Sequence, residues 1–187
     1  QKLYEKKLTT YPRSDCDYLP ESQFADAPAI LKNLVDIADI DLSGWAEGTN
    51  HEIKSRAWND KKITAHHAII PTEAICKLDV LTEEERNLYY LIAQAYVAQF
   101  YPIHEYEQTK ITINFTDEKF IVTGKVVKND GWKSIYKKDK VESCEEDEED
   151  NLPLVKKEDI LKYLAGFAIE KITKPPTRFT TSTLLSA

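Results

Sequence analysis

The sequence predicts an α+β fold, with a helical half followed by an antiparallel β half. Two observations carry this. Apolar residues recur at helical spacing up to about residue 105, and beyond it the apolar period becomes two. The second half also holds short turn signals, TDEK and NDG, between its apolar runs.

Taken in order, residues 2–8 are helix-compatible. Pro12 disfavours helix at Tyr11, so Tyr11 is expected on a helix-to-loop exit. Asp26 stands where an N-cap belongs, ahead of a helix from Ala27 to about Ala38 with Ile30, Leu31, Leu34, Val35 and Ala38 on one face. DIDLSGWAEGTN (39–50) has two glycines and reads as a loop. AHHAIIPT (65–72) is a short apolar segment stopped by Pro71. A long helix is predicted from Leu81 to Phe100, opened by a Thr82/Glu85 capping box and ended by Pro102. Its apolar face is read as Leu88, Ile92, Ala95, Tyr96 and Gln99, widened by Tyr89, Ala93 and Phe100.

In TKITINF (109–115), Thr109, Ile111, Ile113 and Phe115 alternate with Lys110, Thr112 and Asn114, as in a strand. FIVTGKVV and WKSIY read as second and third strands of a meander, with Trp132 packing on the sheet. LPLVKKEDI and FAIEKITK read as further strands, and TTSTLLSA as a helix beginning. The expected organisation is a helical segment 1–105, a β-rich segment 106–176 and the start of a further helical segment at 177–187. No internal repeat and no glycine-rich phosphate loop is present.

The chain has 187 residues and a net charge of −7. The run ESCEEDEED (142–150) holds seven acids, which equal the whole excess, so the remainder is neutral. Such a block is expected to be a solvated loop, and the acidic balance does not exclude a nucleic-acid partner. No run reaches the roughly 18 apolar residues of a membrane span, and the N-terminus has no signal core. A cytoplasmic location is expected. Cys16, Cys76 and Cys144 are far apart and form no CxxC pair, so reduced thiols are expected rather than disulfides or zinc. The chain lacks methionine, opens inside an apparent helix and stops as another starts. It is expected to be a piece of a longer protein.

Chemistry is concentrated in three places. LTTYPRSD (8–15) sets Tyr11 beside Pro12 and Arg13. A phenol is a poor nucleophile near neutral pH unless its anion is favoured. A nearby guanidinium does that, and it also grips a phosphate oxygen in bidentate fashion. A packed tyrosine beside a surface arginine is the plainer account. The second place is His66 and His67, whose adjacency does not suit joint metal binding from a helix but does suit phosphate contact. One core and one solvent histidine would also explain the pair. The third is EIKSRAWNDKK, where Lys54, Arg56, Lys61 and Lys62 surround Trp58. Basic residues interleaved with an aromatic fit a single nucleic-acid strand, and equally an ordinary solvated surface.

LTTYPRSDCDYLPE, RAWNDKKITAHHAIIPT, LTEEERNLYYLIAQAYVAQFYP, GKVVKNDGW and TKPPTRFTTSTLLSA, in that order, resemble the type IA DNA topoisomerases, and within them the bacterial topoisomerase III branch. The resemblance implies that Tyr11 is the tyrosine that attacks a single-strand phosphodiester, forming a 5′-phosphotyrosine and releasing a 3′-hydroxyl. It implies that Arg13 contacts the scissile phosphate and that Ser14 and Asp15 shape the DNA-facing surface. His66 would contact a DNA phosphate near the tyrosine, with His67 beside it. It further implies a winged-helix-like gate domain over 1–105, an arch segment over 106–176 and a following helical domain from 177. Single-stranded DNA is the implied partner. Mg²⁺ is the implied cofactor, held by an acidic metal-binding (toprim) domain of the same protein that also carries a catalytic lysine. No motif of that domain is visible here and ATP is not needed, so the chain alone is expected neither to cleave nor to relax DNA.

Two other functions compete. A non-catalytic single-strand-binding module would keep the fold and work by contact. A relaxase-type tyrosine nuclease would want a histidine metal triad, which the adjacent His66–His67 pair does not supply.

Overall fold

The computed structural model describes residues 1–37, 39–136, 152–173 and 175–185. The acidic run and Cys144 lie outside these residues. The chain divides into two units, Gln1–Leu152 and Pro153–Ala187. Helices and one antiparallel hairpin make the fold α+β.

In the first unit, α1 (Lys2–Glu5) is a single turn. A 3₁₀ segment, Glu21–Asp26, runs directly into α2 (Ala27–Val35), which buries Ala27, Ile30, Leu31 and Leu34. Asp26 does not cap α2 with its side chain, contrary to expectation: its backbone is already helical, at φ −83° and ψ −15°. A working N-cap needs extended backbone to aim its oxygen at the free N–H groups.

Most of residues 39–50 are helix rather than loop. Asp39 has that extended backbone, and its carboxylate accepts from the N–H groups of Asp41 and Leu42 at 3.1 and 3.0 Å, starting α3 (Ile40–Glu47). Gly48 misled as a breaker. Its φ is an ordinary −73°, but a Cβ there would lie 2.3 Å from the hydroxyl of Tyr101. That hydroxyl donates to the carbonyl of Trp45 at 2.9 Å, so the glycine makes room for a packed tyrosine.

Helix α4 (Glu83–Val97) carries the predicted capping box and continues as a 3₁₀ turn, Ala98–Phe100. Its buried line is Glu85, Tyr89, Ala93, Tyr96 and Val97, while Leu88 is 48% exposed. The buried face thus keeps the predicted Tyr89, Ala93, Tyr96 and Phe100, adds Glu85 and Val97, and leaves out Leu88. Phe24, Trp58, Tyr96 and Phe100 meet with ring centroids 5.1–6.4 Å apart and form the aromatic centre of the core. Each ring of this size contributes about 2–3 kcal/mol by leaving water, and edge-on pairs add roughly 1 kcal/mol.

The hairpin pairs β1 (Glu105–Phe115) with β2 (Glu118–Asn129) in antiparallel register, Ile111 opposite Val122 and Ile113 opposite Phe120. The chain reverses in two residues, with Thr116 at φ 55°, the left-handed backbone that tight hairpin turns require. The predicted third strand is instead a 3₁₀ helix, Gly131–Tyr136. Gly131 has φ +51°, and a Cβ there would fall 2.3 and 2.4 Å from the carbonyl oxygens of Ile103 and Pro102. The N–H of Trp132 donates to Pro102 and the Gln94 amide donates to Ile135. These contacts fold the segment back onto the end of α4 instead of along β2. Trp132 is 39% exposed and stands edge-on to Tyr136, not against the sheet.

In the second unit, residues 153–173 form no strand. Their alternating apolar residues, such as Phe167 and Ile169, are exposed. Alternation becomes a strand only with a hydrogen-bonding neighbour, and none pairs there among the described residues. At the far end α5 (Thr181–Leu185) begins as expected, with Thr180 and Thr183 exchanging side-chain and backbone hydrogen bonds. Among the described residues no helix is long and apolar enough to cross a membrane.

Candidate functional site

The site is built by two short extended segments far apart in sequence. The N–H of Thr10 donates to Ile70 at 3.0 Å, the N–H of Thr72 donates to Leu8 at 3.2 Å, and Thr9 and Pro71 form an antiparallel bridge. The Thr10 hydroxyl adds a second clamp: it accepts from the N–H of Ile70 at 3.0 Å and donates to the carbonyl of Ala68 at 3.4 Å. The N–H of Ala68 donates to Tyr18 at 2.8 Å, and Leu19 bridges to Trp58. The loop 11–17 is thus tied down at both ends while its middle faces solvent.

Tyr11 is 38% exposed. Its ring lies 4.7 Å from that of His66, tilted by 38°, and 5.6 Å from that of Tyr4, edge-on at 84°. Its hydroxyl makes no hydrogen bond among the described residues. A groove of about 530 Å³ opens beside it, lined in part by Tyr4, Lys7, Thr9, Thr10 and Thr72. A positioned, accessible phenol next to an exposed imidazole can reach a ligand held in that groove.

Arg13 and Asp15 are exposed on the same loop, and Arg13 has no ion pair among the described residues. The Ser14 hydroxyl accepts from the N–H of Cys16 at 3.2 Å and shapes the turn. The two histidines part company. His66 is exposed beside Tyr11, whereas His67 is half-buried. The Nδ1 of His67 lies 2.7 Å from the Ala68 carbonyl, and its Nε2 lies 3.3 Å from the Gln23 amide nitrogen. With that amide donating to Nε2, Nδ1 carries the proton. His67 therefore ties the loop to the 3₁₀ segment.

The basic cluster does not form a stacking surface. Trp58 is 4% exposed, in the aromatic core. Lys54 pairs with Glu21 at 2.8 Å, and Lys62 donates to the Tyr18 hydroxyl at 2.8 Å. Arg56 and Lys61 are exposed.

Sequence reasoning missed the supports: Tyr4, Thr10, Gln23 and the pair Lys6–Glu85. Lys6 Nζ lies 2.5 Å from Glu85, joining α1 to the start of α4. The Lys6 contact, then the Thr82 N–H, holds the Glu85 carboxyl below its ordinary range. Behind them, burial pushes the Cys76 thiol up to about 11. Cys16 and Cys76 are both free. Among the described residues no group of three or more His, Cys, Asp or Glu is placed to hold a metal ion.

A family model described as DNA topoisomerase matches residues 1–187. Over the whole chain, DNA topoisomerase 3 of Haemophilus influenzae is 44% identical, that of Salmonella typhimurium 41% and that of Bacillus subtilis 38%. The chain spans 28% of the length of the first two and 26% of the third. With a whole-chain family match and this level of identity, the chain belongs to the DNA topoisomerase family and is similar to the bacterial topoisomerase III members of its type IA class.

Proposed function

We propose that this chain is the nucleophile-bearing part of a type IA topoisomerase that cuts and rejoins one DNA strand. The single observation that supports it most is the Tyr11 ring, open to solvent and set 4.7 Å from His66. The Tyr11 oxygen attacks a backbone phosphorus. A new oxygen–phosphorus bond forms to the 5′ side and the bond to the 3′ oxygen breaks. The phenol gives up its proton, and the departing 3′ oxygen gains one. Arg13 is assigned to the charge on the scissile phosphate. His66 is assigned to a neighbouring phosphate, with Ser14 and Asp15 shaping the DNA-facing loop and His67 anchoring it. One phosphoester replaces another, so the reverse step restores the strand without ATP.

In this reading residues 1–105 are a winged-helix-like gate domain, 106–176 part of an arch, and 177–187 the opening of a further helical domain. The described residues do not supply a metal site, so Mg²⁺ is assigned to an acidic (toprim) domain elsewhere in the whole enzyme. The location is cytoplasmic and the substrate is single-stranded DNA. The chain alone is inactive.

Tyr11→Phe in the whole enzyme tests the reading. Covalent capture of labelled single-stranded DNA is expected to vanish while binding persists. Persistent capture by the variant would move the nucleophile elsewhere. Absence of capture by the unmodified enzyme would leave only a binding module. Relaxation of a supercoiled plasmid by the isolated chain would refute its inactivity.

A further inference from the structure

Helix α1 stops in an unusual way. The N–H of Leu8 donates to the carbonyl of Leu3 at 2.9 Å and the N–H of Lys7 to that of Tyr4 at 2.8 Å. This pair of bonds is the Schellman stop, completed by the buried side chains of Leu3 and Leu8. The residue at its turning point has left-handed backbone and is ordinarily glycine. Here it is lysine, Lys7, at φ 60°. The Thr72 hydroxyl donates to its carbonyl and holds the backbone there.

The stop itself does not need an ammonium. The carbonyls of Leu3 and Tyr4 already have their donors. Yet Lys7, which brings a long cationic side chain, lines the groove that also contains Tyr11. Of the groove's other polar groups, the hydroxyls of Thr10 and Thr72 are committed to backbone partners. Glu5 also lines it, and its carboxylate accepts from Gln1 at 2.8 Å. Neither the Lys7 ammonium nor the Tyr11 hydroxyl has a hydrogen-bond or ion-pair partner among the described residues. An anion entering the groove therefore meets one uncommitted ammonium and two uncommitted phenols, those of Tyr4 and Tyr11.

We propose that Lys7 is a positioning residue that grips a backbone phosphate flanking the one Tyr11 attacks, and so sets the register of the strand in the groove. This rests on the function proposed above. A backbone contact of this kind positions the strand without reading its bases.

The test compares Lys7→Gly, Lys7→Arg and Lys119→Gln, the last at the turn end of the hairpin, with the unmodified protein, each in the whole enzyme. Each is titrated with a fluorescent oligothymidylate over a range of salt concentrations, and each is melted. Loss of one phosphate contact is expected to reduce the magnitude of the log–log salt slope by about 0.7 for Lys7→Gly, with weaker binding on every sequence tried. The same variant is expected to melt no lower than the unmodified enzyme, since glycine suits the turning point. Lys7→Arg is expected to restore the slope. An unchanged slope in Lys7→Gly, or an equal loss in Lys119→Gln, would overturn the assignment to Lys7 while leaving the Tyr11 reading intact. No binding of the oligonucleotide by the unmodified whole enzyme would instead overturn the function on which it rests.

Discussion

Thr10 uses one hydroxyl to hold two strands of backbone, accepting from Ile70 and donating to Ala68. Thr10→Val keeps the shape and leaves the N–H of Ile70 without that acceptor. An orphaned partly buried donor costs about 1–3 kcal/mol. The urea midpoint is expected to fall accordingly, and an unchanged midpoint would show that the clamp is idle. The same clamp explains what could be read at this scale. Tyr11, Arg13 and His66 were visible as chemistry, because each type is uncommon in its context. Their geometry was not visible. The bridge between residues 8–10 and 70–72 is too short to leave a period in the sequence. Tyr4 carried no signal at all: it sits on a helical turn like any surface tyrosine, and only folding sets it edge-on to Tyr11.

At the scale of elements, α4 was legible because its start obeys a strict local rule. Glu85 then does more than the rule requires, since it caps the helix and also pairs with Lys6. A carboxyl held below its ordinary value of 4.5 contributes stability that is complete above that pH and lost as the pH falls through the lower folded value. Glu85→Gln lacks that contribution. Its stability is expected to decline less steeply than that of the unmodified chain as the pH falls below 4.5, as followed by urea midpoints; parallel curves would contradict this. Elements whose determinants are not local were misread. The predicted face of α4 is correct at Tyr89, Ala93 and Tyr96 but centres on Leu88, which is exposed, and it leaves out Val97. Gly48 signals a loop, yet its cause is the Tyr101 ring. WKSIY alternates like a strand, but Gly131 and its carbonyl neighbours decide its path.

Across the molecule, backbone order is unevenly underwritten. Residues 83–100 are helical, with apolar and aromatic side chains in the core, whereas 153–173 are exposed and carry few backbone hydrogen bonds among the described residues. Hydrogen exchange on the isolated chain is therefore expected to be slow over 83–100 and nearly unprotected over 153–173. Protection of the latter would reveal pairing that its alternating pattern invites. The α+β class was legible from the change in period, because periodicity is a property of long segments. The extent of the β half was not, because alternation describes one strand and says nothing of its neighbour.

The bridge between Thr9 and Pro71 also has a consequence in time. As the chain emerges from the ribosome, Tyr11 appears about sixty residues before the segment that sets His66 against it. Until that long loop closes, the phenol is an ordinary side chain on a mobile tether. The paired rings of Tyr11 and His66 are thereby absent from every unfinished copy.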